Sequence, residues 1–304
     1  EPAPPADPPV QSIEDIGAMQ RWADAARAAG RRIGFVPTMG YLHDGHLSLV
    51  RLARERADLV VASIFVNPTQ FGPGEDLAAY PRDLDGDSAR LRAEGTDVLF
   101  LPTAATMYPR GFQTSVAVAG VTRGLCGASR PVHFGGVATV GTKLFHIVKP
   151  HVAVFGGKDF QQLVTIRRLV ADLDFDIDIV GGPIVREADG VAMSSRNAYL
   201  APAERRAAVC LSQALAAARE LHERSGVVSA AELLAAARAR IAAEPLATLD
   251  YAELVDAETL EAIDTVSGPA LLAVAAGFGK ARLIDNTVLN EGAAAGSRSA
   301  DCLA

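Results

Sequence analysis

The run LVVASIFV, Leu59 to Val66, is a continuous stretch of apolar or small residues rich in β-branched side chains. A strand with one wet face alternates apolar and polar residues. A run without alternation is buried on both faces, as in a parallel sheet covered by helices. Parallel strands need long crossovers in place of hairpins, and the chain supplies them. RIGFV (Arg32 to Val36, closed by Pro37), VLFLP (Val98 to Pro102), VAVFG (Val152 to Gly156) and the later DIDIVGGPIV read as further strands. Helical stretches lie between: about Ser12 to Ala29, His46 to Ala57 with Leu47, Leu49, Val50 and Leu52 on its apolar side, and Leu84 to Glu94. A Gly-rich segment runs into another before Pro150, and QQLVTIRRLVADL gives a last. The alternation predicts an α/β fold, a doubly wound Rossmann-like parallel sheet.

The pattern changes after about Val185. Residues 203–243 are Ala-rich and helix-forming, and Tyr251 to Val255 and Leu271 to Val274 read as short strands. A second, smaller α/β C-terminal domain is expected, with its boundary near GGPIVREADG. The expected organisation is a disordered leader (1–11), a larger Rossmann-like sheet domain (12–185), a smaller C-terminal lid domain (186–290) and a flexible tail (291–304). No internal repeat is visible.

Twenty-nine basic against 36 acidic residues give a net charge of −7, so a polynucleotide partner is not expected. Cys126, Cys210 and Cys302 are far apart and form no CxxC pair, which suits free thiols in a reducing cytoplasm. EPAPPADPPV, with neither a basic nor an apolar region, reads as an extended leader and not as a signal peptide. No apolar stretch approaches the roughly 18 residues of a membrane span. A cytoplasmic protein without membrane contact is expected.

Two motif matches fail on chemistry. GVATVGTK (Gly136 to Lys143) has the glycine spacing of a phosphate loop but ends Thr-Lys where the motif needs Lys-Ser/Thr. DLDGDSARLRAE (Asp83 to Glu94) has acids at calcium-loop positions, but its glycine falls at position 4 instead of 6, and the segment reads as helix. No GxGxxG follows a strand, so a dinucleotide dehydrogenase has no support.

PTMGYLHDGHLSL (Pro37 to Leu49) lies where the first long strand ends and a helix begins, the place where such sheets hold ligands. His43 and His46 are one helical turn apart, and Gly45 between them permits close backbone approach. A helix N-terminus suits phosphate, and two imidazoles there can donate to phosphate oxygens. Exposed loop histidines or a metal pair are the alternatives; the pair lacks a third ligand at zinc-protease spacing. In VREADGVAMSSRN (Val185 to Asn197), Ser194, Ser195 and Arg196 offer two hydroxyls and a fork of donors, a match to a triphosphate or an ordinary polar loop. In FGGKDFQQL (Phe155 to Leu163), Lys158 follows a strand's carboxyl end, a cation for an α-phosphate. Asp159 can cap the next helix or act chemically, and Gln162 points from that helix. In FVNPTQF (Phe65 to Phe71), Asn67 and Gln70 are uncharged groups suited to a polar hydroxy acid, although Asn-Pro is also a plain turn signal.

HDGH after a strand resembles the HIGH signature of the adenylate-forming nucleotidyltransferase superfamily. PTMGYLHDGH, FVNPTQF, EDLAAYPRD, FGGKDFQQL and READGVAMSSRNAYL together resemble the pantothenate synthetase family, with similarity from about Ile13 to about Asn290. That resemblance implies an AMP-forming acid–amino-acid ligase of pantothenate and coenzyme A biosynthesis. It would condense (R)-pantoate with β-alanine using ATP and Mg²⁺, through a pantoyl adenylate, and release AMP and diphosphate. It implies an ATP site of Met39, Gly40, Tyr41, Leu42, His43, Asp44, Gly45, His46, Gly156, Gly157, Lys158, Asp159, Val185, Met193, Ser194, Ser195 and Arg196. Among these His43, His46, Lys158, Ser194, Ser195 and Arg196 act on the phosphates, and His46 takes the family's proton-donor place. Charge stabilisation is the better chemical description, since diphosphate is a good leaving group. Gln70, Gln162 and Asn67 fall on the pantoate and β-alanine side. Metal ligands are not identified. The family is usually a homodimer. GPGEDLAAYPRD (Gly72 to Asp83) is expected to act as a gate that keeps water from the adenylate.

Two positions depart from the family. Its usual FGEKD is FGGKD here, so Gly157 lacks a carboxylate, and Gly135 stands in HFGGV where a larger residue is common. Two other functions compete: a nucleotidyltransferase that keeps the nucleotide on its product, and a regulatory ATP-binding module. Asn67, Gln70 and Gln162 weigh against the first, since a phosphate acceptor would want cations there. No charge-stabilising residue is missing, which weighs against the second.

Overall fold

The computed structural model describes residues 10–225 and 228–291. Residues 1–9, which make up most of the expected leader, and residues 292–304, which hold Cys302, lie outside the described residues. The strands are β1 (Gln11–Ile13), β2 (Ile33–Thr38), β3 (Leu59–Ile64), β4 (Val98–Phe100), β5 (Val152–Gly156), β6 (Asp178–Gly182), β7 (Thr248–Asp256), β8 (Ala270–Phe278) and β9 (Ala281–Leu289). The helices are α1 (Ile16–Ala28), α2 (Asp44–Arg54), α3 (Leu84–Ala93), α4 (Ala104–Met107), α5 (Cys126–Ser129), α6 (His133–Val148), α7 (Phe160–Asp172), α8 (Pro202–Ala207), α9 (Val209–Ser225) and α10 (Ala230–Ala242). They fall into two compact units. The first comprises the described residues up to Val118, Arg130–Gly157 and Thr165–Val185. The second comprises Ala119–Ser129, Lys158–Val164 and the described residues from Arg186 onward.

The first unit is a six-stranded parallel sheet in the order β1-β4-β3-β2-β5-β6. Strand order reverses between β2 and β5, so the loops leaving their carboxyl ends border the crevice where such sheets bind ligands. Val60, Val61 and Ala62 of β3 are fully buried, as an unalternating run requires. Helix α2 packs Leu49, Val50 and Ala53 into the cluster of Val36, Val60, Ala62, Leu99 and Val154.

Three boundaries differ from expectation. Ser12 and Ile13 belong to β1, paired with β4, and α1 starts only at Ile16 because the Asp15 side chain accepts the Ala18 N–H at 2.7 Å. Pro37 lies inside β2 and does not close it. There β2 pairs only with β3, since its pairing with β5 is confined to Gly34 and Phe35, and a residue without an N–H is tolerated. Helix α2 begins at Asp44, two residues before His46, because His43 caps it.

The second unit is an antiparallel sheet, β7-β8-β9. The helices α9 and α10 supply Leu211, Ala214, Leu215, Leu233, Ala237 and Ile241 to a core shared with Leu272, Val274 and Phe278 of β8. Helix α10 starts at a capping box in which Ser229 and Glu232 satisfy each other's backbone N–H groups. Among the described residues no helix is long and apolar enough to cross a membrane.

Candidate active site

The loop from Met39 to His46 leaves the carboxyl end of β2. Gly40 (φ 84°) and Tyr41 (φ 53°) both take the left-handed conformation, which turns the chain sharply before α2. At the helix start the two histidines cap reciprocally. His43 Nδ1 accepts the Gly45 N–H at 3.1 Å, and His46 Nδ1 accepts the His43 N–H at 3.3 Å. Their ring centroids are 4.1 Å apart. An Nδ1 that accepts a hydrogen bond carries no proton, so the neutral tautomer of each ring has its N–H at Nε2. Two half-buried Nε2–H donors therefore stand together at the N-terminus of α2, where the helix dipole adds partial positive charge.

The turn is held by a residue that motif reading missed. Asp87, fully buried in the first turn of α3, accepts the backbone N–H groups of Tyr41 and Leu42, each at 2.7 Å. Burial raises its pKa above the usual carboxylate range, against the opposite pull of those two N–H groups. Arg90 of α3 donates to the Leu42 carbonyl. The acids that mimic a calcium loop are helix-start residues: Asp83 caps α3 by accepting the Gly86 N–H at 3.1 Å.

Beyond β3, Asn67 caps the turn Pro68–Gln70 and is itself buried. Its Oδ1 accepts from the Tyr108 hydroxyl (2.7 Å) and the Thr69 hydroxyl (2.9 Å). Its Nδ2 donates to Gln70 Oε1 (3.1 Å) and the Gly136 carbonyl (3.2 Å). Both ends of the Asn67 amide are committed inside the unit. Gln70 Nε2 reaches the weak acceptor Met39 Sδ at 3.3 Å and has a second N–H besides. The Gln70 carbonyl is met by Arg130 (3.4 Å) and His133 Nδ1 (3.1 Å). Arg130 also grips Glu75 at 2.7 and 2.8 Å, which fixes the head of the Gly72 to Asp83 segment. Gly136, part of the false phosphate loop, lies in α6. A Cβ there would stand 2.5 Å from the backbone of Thr69 and Gln70, so this glycine lets the helix touch the turn.

Gly156 ends β5. A Cβ at Gly157 would meet the Gly182 carbonyl oxygen at 2.9 Å, so the ends of β5 and β6 approach closely. A Cβ at Gly135 would meet open space. Val185 closes the first unit's sequence.

In the second unit Lys158 is half-buried, 3.7 Å from the Asp159 carboxylate. The two glutamines of FGGKDFQQL divide their roles. Gln161 is buried and donates to the carbonyls of Val121 (3.0 Å) and Gly124 (2.9 Å). Gln162 is half-buried and makes no side-chain hydrogen bond with the described residues. Ser194 Oγ accepts the Arg196 N–H at 3.3 Å and so caps the turn Ser195–Tyr199, while Met193 and Arg196 are half-buried and Ser195 is buried. Asn197 ties this turn to Glu187 (3.0 Å) and the Ala192 carbonyl (3.3 Å), and Arg205 binds both Glu187 and Asp189. Among the described residues no group of three or more His, Cys, Asp or Glu is arranged to hold a metal ion.

The six-stranded parallel sheet and the small antiparallel sheet both recur in solved structures. A pantothenate synthetase from Thermus thermophilus superposes with a TM-score of 0.86 at 48% identity, over 91% of this chain and 99% of that one. A pantoate–β-alanine ligase from Francisella tularensis, solved with β,γ ATP and β-alanine, gives 0.76 at 32% identity, over 92% and 97%. A pantothenate synthetase from Syntrophobacter fumaroxidans is 57% identical over 93% of this chain and all of its own length. One from Geobacter sulfurreducens is 56% identical over 93% and 99%. The family profile of pantoate–β-alanine ligase matches residues 11–288, which takes in every segment of the site just described. The chain belongs to the pantoate–β-alanine ligase family.

Proposed function

We propose that the chain condenses (R)-pantoate with β-alanine at the expense of ATP, through a pantoyl adenylate, releasing AMP and diphosphate. The observation that carries this is the reciprocal capping of His43 and His46, which makes both rings Nε2–H donors at the start of α2. The complex of a Francisella tularensis relative with β,γ ATP and β-alanine supports the choice of substrates.

In the first step a pantoate carboxylate oxygen attacks the α-phosphorus, and the bond to diphosphate breaks. The nucleophile is already ionised, so no base is needed. The requirement is in-line placement and stabilisation of negative charge on the phosphates. His43, His46, Lys158, Ser194, Ser195 and Arg196 supply it as donors. Met39 to His46, Gly156 to Asp159, Val185 and Met193 bound the nucleotide. Mg²⁺ supplies further charge neutralisation. In the second step the β-alanine amine attacks the acyl carbon and AMP leaves.

Gln70 and Gln162 hold pantoate, each with amide groups not used up by the described chain. Asn67 serves indirectly, by orienting the Gln70 amide. The Gly72 to Asp83 segment and the smaller domain limit water access to the adenylate. The acting species is a cytoplasmic homodimer, a setting that suits the buried free thiols Cys126 and Cys210.

The test mixes protein with Mg-ATP, pantoate and β-alanine, and omits each in turn. AMP and pantothenate form only with all three. H46A and K158A each lower the rate by about 10²-fold or more. ATP turnover indifferent to β-alanine, or near-normal rates in both variants, contradicts the proposal.

A further inference from the structure

The edge strand β9 carries two adjacent buried polar residues, Asp285 and Asn286, in an otherwise apolar part of the second unit. Successive strand residues point to opposite faces. Leu283 and Leu289 share the face of Asp285 and pack in the core with α9 and α10, while Val288, on the face of Asn286, packs beside Leu125, Ala273 and Phe160. Each polar side chain reaches a different segment. Asp285 takes the Arg186 guanidinium on both oxygens, at 2.7 and 2.9 Å, and Arg186 also donates to the Gly190 carbonyl at 3.0 Å. Arg186 bridges to Ala192, so the hairpin that leads directly into Met193–Arg196 is fixed at its base. On the other face Asn286 Nδ2 donates to the backbone carbonyl of Lys158 at 2.8 Å. The two residues are coupled, since Asp285 Oδ1 accepts the Asn286 N–H at 2.8 Å.

Buried polar groups on a small sheet are costly unless paired; here Asn286 is paired with Lys158, in a segment assigned to ATP, and Asp285 with Arg186, at the base of the hairpin that leads into another. We infer that Asp285 and Asn286 are positioning residues for adenylation: one dipeptide sets Lys158 on one face of the sheet and Ser194 to Arg196 from the other. This inference rests on the proposed ATP role of Lys158 and Arg196. Neither residue touches substrate in this account. Asn286 acts through Lys158, and Asp285 acts through Arg186 and the hairpin.

Positioning through another residue has a signature that general loss of structure lacks. If Asn286 works by placing the Lys158 side chain, its removal costs no further rate once that side chain is gone, although the backbone carbonyl it meets is still present. The experiment measures kcat/KM for ATP, and ATP affinity by calorimetry, in the full chain and in N286A, K158A and N286A/K158A. N286D, which keeps the volume and removes the donor, serves as a second variant. N286A and N286D are expected to lower kcat/KM about tenfold with Lys158 present, because small misplacements of a charge-stabilising group are expensive. In the K158A background the same substitutions are expected to change it by less than about twofold. In the matching cycle the loss caused by D285N is expected to shrink in the R196A background without vanishing, because Ser194 and Ser195 still follow the same hairpin. Equal losses in both backgrounds would mean a structural effect only and would overturn the inference. If K158A alone kept the full rate, the ATP role of Lys158 would fall first, and the inference with it.

Discussion

Asp87 binds the backbone of Leu42 at 2.7 Å across 45 residues of sequence, and a second bond at the same distance goes to Tyr41. A single carboxylate thus satisfies two consecutive peptide N–H groups at the left-handed turn of Gly40 and Tyr41. D87A leaves the buried Leu42 N–H and the half-buried Tyr41 N–H without their acceptor. We expect it to lower unfolding free energy by roughly 2–4 kcal/mol in urea titration. A change below about 0.5 kcal/mol, the range of ordinary surface substitutions, would show that the turn holds itself.

Gly136 allows α6 to lie against the backbone of Thr69 and Gln70. In G136A the new methyl cannot be relieved by a rotamer change, because its neighbours are main chain. The expected result is a loss of about 1–3 kcal/mol from overpacking. A rise in KM for pantoate should accompany it through displaced Gln70, with KM for ATP little changed. Equal shifts in both KM values would contradict the assignment of Gln70.

The closeness of Gly157 to the Gly182 carbonyl predicts that a side chain is costly there. G157E should destabilise this chain by about 1–3 kcal/mol, because its Cβ forces β5 and β6 apart. Thermal melting of the two proteins checks it. An unchanged or higher Tm would mean that Gly182 yields freely.

The Arg130 guanidinium holds the Glu75 carboxyl at about 2, down from an ordinary 4.5. A depressed carboxylate pKa stabilises the fold above the unfolded value, and the contribution is lost as pH falls from about 4.5 through about 2. Denaturant titrations over that window should show stability falling with acid, and E75Q should flatten the slope. The same slope in E75Q would place the acid sensitivity elsewhere.

The sheet is legible in the sequence because burial on both faces leaves an unbroken run of apolar or small residues without alternation, as in Leu59 to Val66. His43 and His46 are legible because cap and helix turn share a short window. Other features leave no such mark. β1 is three residues long and follows a Pro-rich stretch. β9 escapes recognition as a strand because Asp285 and Asn286 interrupt its apolar alternation. Side chains that grip distant backbone, Asp87 on Leu42 and Asn286 on Lys158, are invisible to any window of local spacing. Asn67 shows the converse: it has the right residue type beside a strand end, but only the structure reveals that its amide is already occupied.

The proposed reaction turns on the adenylate, and oxygen transfer tests it most directly. Pantoate labelled with ¹⁸O in its carboxylate is turned over with unlabelled Mg-ATP and β-alanine, and the products are analysed by mass spectrometry. Attack of the carboxylate on the α-phosphorus predicts one labelled oxygen in AMP and none in diphosphate. Unlabelled AMP, or label in diphosphate or inorganic phosphate, would contradict it.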